Sequence, residues 1–235
     1  MISPRKISYQ ISHAVWQAAD LLFPPVCAGC GTLGERFCPD CISGCVRIPD
    51  DACVLCGKQH SQGAGECPRV KWLDQAAGWG WHKDPLRQAV VGLKYQGNLA
   101  LGITLSQLLS EVYTLTKLEV DVVVPIPLSD GRERERGYNQ AALLARPLAL
   151  GNDLAYCPAA LRRVRDTGSQ VGKTLDERRE NVRGAFEASR RHVKGRRVLL
   201  IDDVLTTGST LDAAAQALKA AGADRVSALV VSRAE

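Results

Sequence analysis

No stretch of this sequence approaches the ~18 consecutive apolar residues that a membrane-spanning helix requires. A secretion signal is missing as well. Behind Arg5 and Lys6, the polar residues Gln10, Ser12, His13, Gln17 and Asp20 interrupt any apolar core, and no small-residue cleavage pattern follows. The expectation is a cytoplasmic protein. The imbalance of a disordered chain is lacking too, since 46% of residues are hydrophobic and 23% charged. A large charge excess is absent: the formal net charge of +5 accommodates anionic ligands without singling out nucleic acid. Cysteine almost disappears after Cys67, where Cys157 alone remains and reads as a small core residue. Beyond the cysteine knuckles there is no internal repeat.

What is present divides the 235 residues into three parts. In residues 1–26, Ile11, Val15, Ala18, Ala19 and Leu22 recur at helical spacing, which predicts an amphipathic helix. Residues 27–74 hold eight of the nine cysteines in a segment rich in Gly, Pro and Asp, too small to be stabilised by core burial alone. Cys27-Ala-Gly-Cys30 and Cys38-Pro-Asp-Cys41 are two C-x-x-C knuckles of the kind that form a tetrahedral Cys₄ zinc site. Disulfides are the alternative, disfavoured in a reducing compartment. A second set, Cys53, Cys56 and Cys67, is one ligand short because Val70 stands at the knuckle position. Cys45 and His60 are the candidates for the fourth ligand, and a metal-free second lobe is the remaining option.

The third part, residues 75–235, is organised around Val198–Thr210. Val198–Ile201 predicts a buried parallel strand, followed by Asp202 and Asp203, a loop Thr206, Thr207, Gly208, Ser209 and Thr210, and a helix over 211–221. A helix that starts after such a loop aims unpaired amides and a positive dipole end into it, which suits a phosphate. Gly208 allows close backbone approach and the hydroxyls add donors. The acid pair suits sugar hydroxyls, so the expected ligand is a phosphorylated sugar. Capping of an ordinary strand-turn-helix needs one such residue, not most of the segment.

Upstream, Leu86, Val90 and Leu93 predict a helix behind Asp84 as N-cap, and a further helix follows over 99–113. Asp121–Val124 reads as a buried strand that Pro125 and Pro127 end, so the chain turns at its C-terminal end, where open α/β sheets bind ligands. Arg132, Arg134 and Arg136 lie in an exposed charged loop before a helix over 141–150. If the strands are parallel, that loop emerges beside Thr206–Thr210 and brings arginines to a second phosphate. Residues 163–179 lack apolar periodicity and read as a lid or linker, 176–183 as helical and 225–231 as a closing strand. From Arg162 to Arg197 there are 12 Lys/Arg against 5 Asp/Glu, a face for polyanions.

The 198–210 segment closely resembles the phosphoribosyl-pyrophosphate (PRPP) signature of type I phosphoribosyltransferases. Together with the knuckles, Leu93-Lys94-Tyr95, Val124-Pro125-Ile126-Pro127, Arg136-Gly137-Tyr138-Asn139-Gln140 and Gly184-Ala185-Phe186, it resembles the ComF family and the similar GntX-type proteins. The resemblance implies an α/β phosphoribosyltransferase type I fold, a mostly parallel sheet with flanking helices, behind an N-terminal zinc ribbon. It implies a Mg²⁺-PRPP site with Asp202 and Asp203 at the ribose, Thr206, Thr207, Gly208, Ser209 and Thr210 at the 5′-phosphate, and Pro127, Arg132 and Arg136 at the pyrophosphate. Asp202, Asp203, Arg165 and Lys94 are the candidates for the catalytic centre, with 163–179 closing over it. No general base is evident, so the acceptor is left open. The expected activity is pentosyl transfer in a competence and DNA-uptake context. The alternative is a non-catalytic factor that binds single-stranded DNA and a helicase-like partner, its PRPP pocket a sensor or vestige.

Overall fold

Two β-branched and leucine-rich runs, Val122–Pro125 (β2) and Arg197–Leu205 (β6), lie side by side as parallel strands in the computed structural model of the protein. Residues 5, 20, 24–49, 52–56, 67, 69–165 and 182–234 are described. With Gln75–Trp81 (β1), Ala155–Tyr156 (β3) and Arg225–Arg233 (β7) they form a five-stranded sheet in the order β1-β7-β6-β2-β3, with every neighbouring pair parallel. Leu161–Arg163 (β4) and Phe186–Ala188 (β5) make a separate antiparallel pair. Among the described residues the α-helices are Pro39–Ser43 (α1), Leu86–Tyr95 (α2), Leu101–Thr116 (α3), Asp130–Arg136 (α4), Gln140–Gly151 (α5), Arg190–Val193 (α6) and Ser209–Ala220 (α7).

Parallel strands covered on both faces carry apolar residues at successive positions, and β6 distributes them by turn. Val198 and Leu200 enter one core with Leu211, Ala214, Ala215 and Leu218 of α7. Leu199 and Ile201 enter the other with α2, α3 and α5. In α3, Leu101, Leu105, Leu108, Leu109 and Val112 form a single buried stripe. Each fully buried leucine there contributes about 1.5–3 kcal/mol relative to exposure. Where α3 meets α5 the backbones come close enough that a Cβ on Gly102 would lie 2.8 Å from the Leu143 carbonyl oxygen.

The cysteine segments are not a separate appendage. Cys27, Phe37, Cys41 and Cys45 join the core of α2, α3 and α5, whereas Cys53, Val54, Leu55 and Cys67 join that of α7. The two knuckle sets therefore pack on opposite faces of one sheet.

Several sequence expectations need correction. The strand expected over 198–201 continues to Leu205, with Asp202 paired to Val230 and Leu205 to Arg233, so the acid pair lies inside the sheet. The charged loop around Arg132 is helix α4, capped by Gly137 at φ 79°; none of its residues is buried, which is why no apolar period marks it. Asp84 does not cap α2. Pro85 occupies the N-cap, and the Asp84 carboxylate accepts from Arg87 Nε at 2.9 Å and Nη2 at 3.1 Å. Pro125 is the last residue of β2, past the reach of β3, which pairs only with Val122 and Val123, and the Ile126 N–H reaches the Ile201 carbonyl at 3.0 Å. The N-terminal helix, apart from residues 5 and 20, the segment 166–181 and His60 lie outside the described residues.

Candidate active site

The two carboxylates near the end of β6 are held differently. Past Ile201 the apolar alternation shifts, with Val204 packing on the α2, α3 and α5 core and Leu205 joining that of α7. At the end of α2, Lys94 Nζ meets Asp203 Oδ1 at 3.0 Å. Asp203 is only 3% exposed, and its Oδ2 has no hydrogen-bond partner. Asp202 accepts the Asp203 backbone N–H at 2.9 Å. Burial and the neighbouring Asp203 charge push the Asp202 carboxyl up to about 7, against the opposing pull of Lys94. Behind the pair, burial and the Lys94 charge lower His82, whose Nδ1 lies 2.8 Å from Ser232 Oγ.

The loop after β6 turns at Gly208, φ 83°, into the first turn of α7. Thr207 Oγ1 and Ser209 Oγ bond each other at 2.8 Å, while Thr206 and Thr210 face a cavity. Loop and charged helix emerge together because β2 and β6 are parallel neighbours. Tyr138 ties α2 to this edge by donating from its hydroxyl to the Leu93 carbonyl at 2.6 Å. Asn139 donates to the Ile126 carbonyl at 2.9 Å and accepts the Ala141 N–H at 2.9 Å, capping α5. The Arg136 guanidinium bonds Gln140 and stacks 5.0 Å from the Tyr95 ring.

These elements enclose a cavity of about 790 Å³ whose wall includes Lys94, Pro127, Arg132, Arg136, Asp202, Asp203, Thr206 and Thr210. A carboxylate pair, a helix start and three arginines, Arg132, Arg136 and Arg163, thus face one space, a combination that suits a ligand bearing both hydroxyls and phosphates.

The cysteines form two groups. Cys27, Cys30, Cys38 and Cys41 bring their sulfurs together, with Cys27 3.6 Å from Cys38 and 3.7 Å from Cys41, and Cys30 3.7 Å from Cys38. Tetrahedral Zn–S bonds of ~2.3 Å put sulfurs ~3.8 Å apart, whereas a disulfide requires ~2.05 Å. All nine cysteines are free, and the first set fits structural zinc. Burial opposes ionisation of Cys27, but N–H groups of Cys38, Cys30 and Gly29 outweigh it and bring the thiol down to about 6. Cys53, Cys56 and Cys67 hold their sulfurs within 4.8 Å of one another. Cys45 does not join them; its thiol donates to the Cys41 carbonyl at 3.1 Å, on the other face of the sheet.

Residues 80–234 match the phosphoribosyl transferase domain family and residues 18–71 the double zinc ribbon domain family. Competence protein F of Haemophilus influenzae is 31% identical over 198 residues, covering 77% of this chain and 84% of its own. The chain belongs to the ComF family. Within it, competence protein ComFC of Bacillus subtilis is 31% identical over 216 residues, 86% of this chain and 82% of the relative. DNA utilization protein YhgH of Escherichia coli K12 is 30% identical over 201 residues, 81% and 87% of the two chains.

The ComF chain does not bring every candidate residue to the cavity. Thr207, Gly208 and Ser209 shape the loop but are not on the wall. Arg165, expected at the catalytic centre, is also off it, its Nη2 donating to the Arg183 carbonyl at 2.6 Å. Arg163 lines the cavity instead, because β4 alternates its side chains: Arg162 turns outward to Glu187, and Arg163 turns inward over Phe186. Tyr95, Glu135 and Tyr138 were missed as wall residues. The period of two around Leu161 was the signal that could have found Arg163.

Proposed function

We propose that the protein binds PRPP with Mg²⁺ in this cavity and transfers the phosphoribosyl group to a nucleophile, in a competence or DNA-uptake setting. The observation that carries the reading is the convergence of Asp202 and Asp203, the α7 start and Arg132 with Arg136 on one cavity. The ring hydroxyls of the ribose donate to the two carboxylates. The loop amides and the hydroxyls of Thr206 and Thr210 hold the 5′-phosphate, and Arg132 and Arg136 hold the pyrophosphate.

Asp202 and Asp203 offer the hard oxygens that Mg²⁺ prefers, and the unpartnered Asp203 Oδ2 is a ready donor. The ion supplies charge neutralisation at the pyrophosphate. In the transfer, the C1–O bond breaks with its electron pair leaving on pyrophosphate. The lone pair of the nucleophile then forms the new bond to C1, and the proton of the nucleophile passes to water. Arginines aimed at the leaving oxygens stabilise the charge that develops there, and Lys94 holds Asp203 in place for the sugar.

Mg²⁺-PRPP at 100 times its dissociation constant should add ~2.7 kcal/mol to folding, read as a rise in melting temperature. Asp202→Asn and Asp203→Asn should reduce the rise. No shift in the wild type would refute the assignment.

The names of the relatives refer to competence and DNA utilization. A second reading follows from exposed Arg183, Arg190, Arg191, Lys194 and Arg196: binding of single-stranded DNA, alongside a helicase-like partner. Affinity would then fall steeply with salt. A salt-independent affinity, or none at low salt, would exclude it.

A further inference from the structure

We propose that the second cysteine set and the 206–210 loop form one mechanical unit, with Leu55 and Asp212 as positioning residues. Metal occupancy at Cys53, Cys56 and Cys67 then sets the affinity of the loop for phosphoribosyl ligands. This rests on reading the loop as a phosphate site.

Leu55 lies inside the Cys53–Cys56 knuckle and is fully buried. A Cβ on Gly208 would stand 3.1 Å from Leu55 Cδ2 and 3.4 Å from Val70 Cγ1, so the turn of the loop rests directly against the knuckle. Val70 is tied back to the third cysteine, its N–H donating to the Cys67 carbonyl at 3.2 Å. Arg69 Nη1 joins the two halves by donating to the Leu55 carbonyl at 3.1 Å.

The second grip comes from the helix. The backbone N–H groups of Lys71, Trp72 and Leu73 converge on Asp212 Oδ1 at 2.8, 2.7 and 3.3 Å. Asp212 is in the first turn of α7, whose amides face the loop. The cysteine segment thus holds the loop from the side through Leu55 and Val70, and from behind through Asp212.

With metal, three ligands hold residues 53–56 against 67. Without it, residues 53–56 and 67 keep their packing on the α7 core but lose the link that fixes one against the other. Coupling between two sites is reciprocal, so a ligand on the loop should also slow zinc loss from this set.

The test uses the zinc-loaded full chain, calorimetric titration with Mg²⁺-PRPP, and hydrogen exchange at the amides of 206–211. Leu55→Ala should keep the wild-type zinc content and bind about tenfold more weakly. Asp212→Ala should weaken binding similarly, whereas Asp212→Asn, which retains the accepting oxygen, should restore it. Cys56→Ser should lose zinc and exchange faster at 206–211. Mg²⁺-PRPP should slow zinc release to a chelator in the wild type but leave the residual zinc of Cys56→Ser unaffected. Wild-type affinity in both Leu55→Ala and Asp212→Ala, or unchanged exchange in Cys56→Ser, would overturn the coupling. If the wild type fails to bind while Cys56→Ser exchanges faster, the ligand reading falls and the coupling stands.

Discussion

Asp202 and Asp203 are adjacent in sequence and line one cavity, yet they are held by different partners. Asp203 is held by Lys94, and Asp202 carries a carboxyl pushed up to about 7 by burial and the Asp203 charge. An acid whose native pKa lies above its ordinary value of 3.8 favours the folded state while protonated. That stabilisation is present at low pH and lost as pH rises from about 4 through about 7. Ligand binding should run the other way, since sugar hydroxyls and Mg²⁺ need the carboxylate. Affinity for Mg²⁺-PRPP should therefore rise with pH through about 7, by up to about tenfold per unit below it. Titration calorimetry at several pH values checks this, and Asp202→Asn should flatten the profile. The acid pair is legible in the sequence, whereas the Lys94 partner of Asp203 comes from the distant helix α2, which only the fold brings close.

At the scale of elements, the close contact of α3 with α5 at Gly102 is open to test. Gly102→Ala would place a methyl 2.8 Å from the Leu143 carbonyl and 2.9 Å from its Cβ, forcing the backbones apart. A loss of about 1–3 kcal/mol is expected, measured as a lower urea midpoint at unchanged slope. Periodicity made α3, α5, α7 and the apolar half of β6 readable. It failed at β1, where Gln-Ala-Ala-Gly-Trp-Gly-Trp shows no clean alternation: its glycines make room for Val54 and Leu86, contacts that only the fold brings close. It failed at α4 because a helix without a buried face has no apolar stripe. The extension of β6 through two acids depends on pairing with β7, a tertiary effect that overrides local propensity.

Across the whole molecule, the two cysteine sets brace opposite walls of the same cavity. The first packs on α2: a Cβ on Gly92, two residues before Lys94, would lie 3.7 Å from Ala28 Cβ, and Ala28 sits between Cys27 and Cys30. The second packs on the 206–210 loop. Native mass spectrometry is expected to find two zinc ions per chain, with Cys30→Ser and Cys56→Ser each losing one. Loss of the first should loosen the Lys94 wall and loss of the second the Thr206–Thr210 wall, distinguishable by hydrogen exchange at 92–95 and 206–211.

Strand β7, the last element in order among the described residues, lies between β6 and the much earlier β1. While the ribosome is still adding residues 225–233, β1 has no partner strand and is left with its short bridge to residues 46–48, where the Trp81 N–H donates to the Val46 carbonyl at 2.8 Å. A stalled or prematurely terminated message would therefore yield a product with its sheet split in two, and an exposed strand edge of that kind is a template for aggregation.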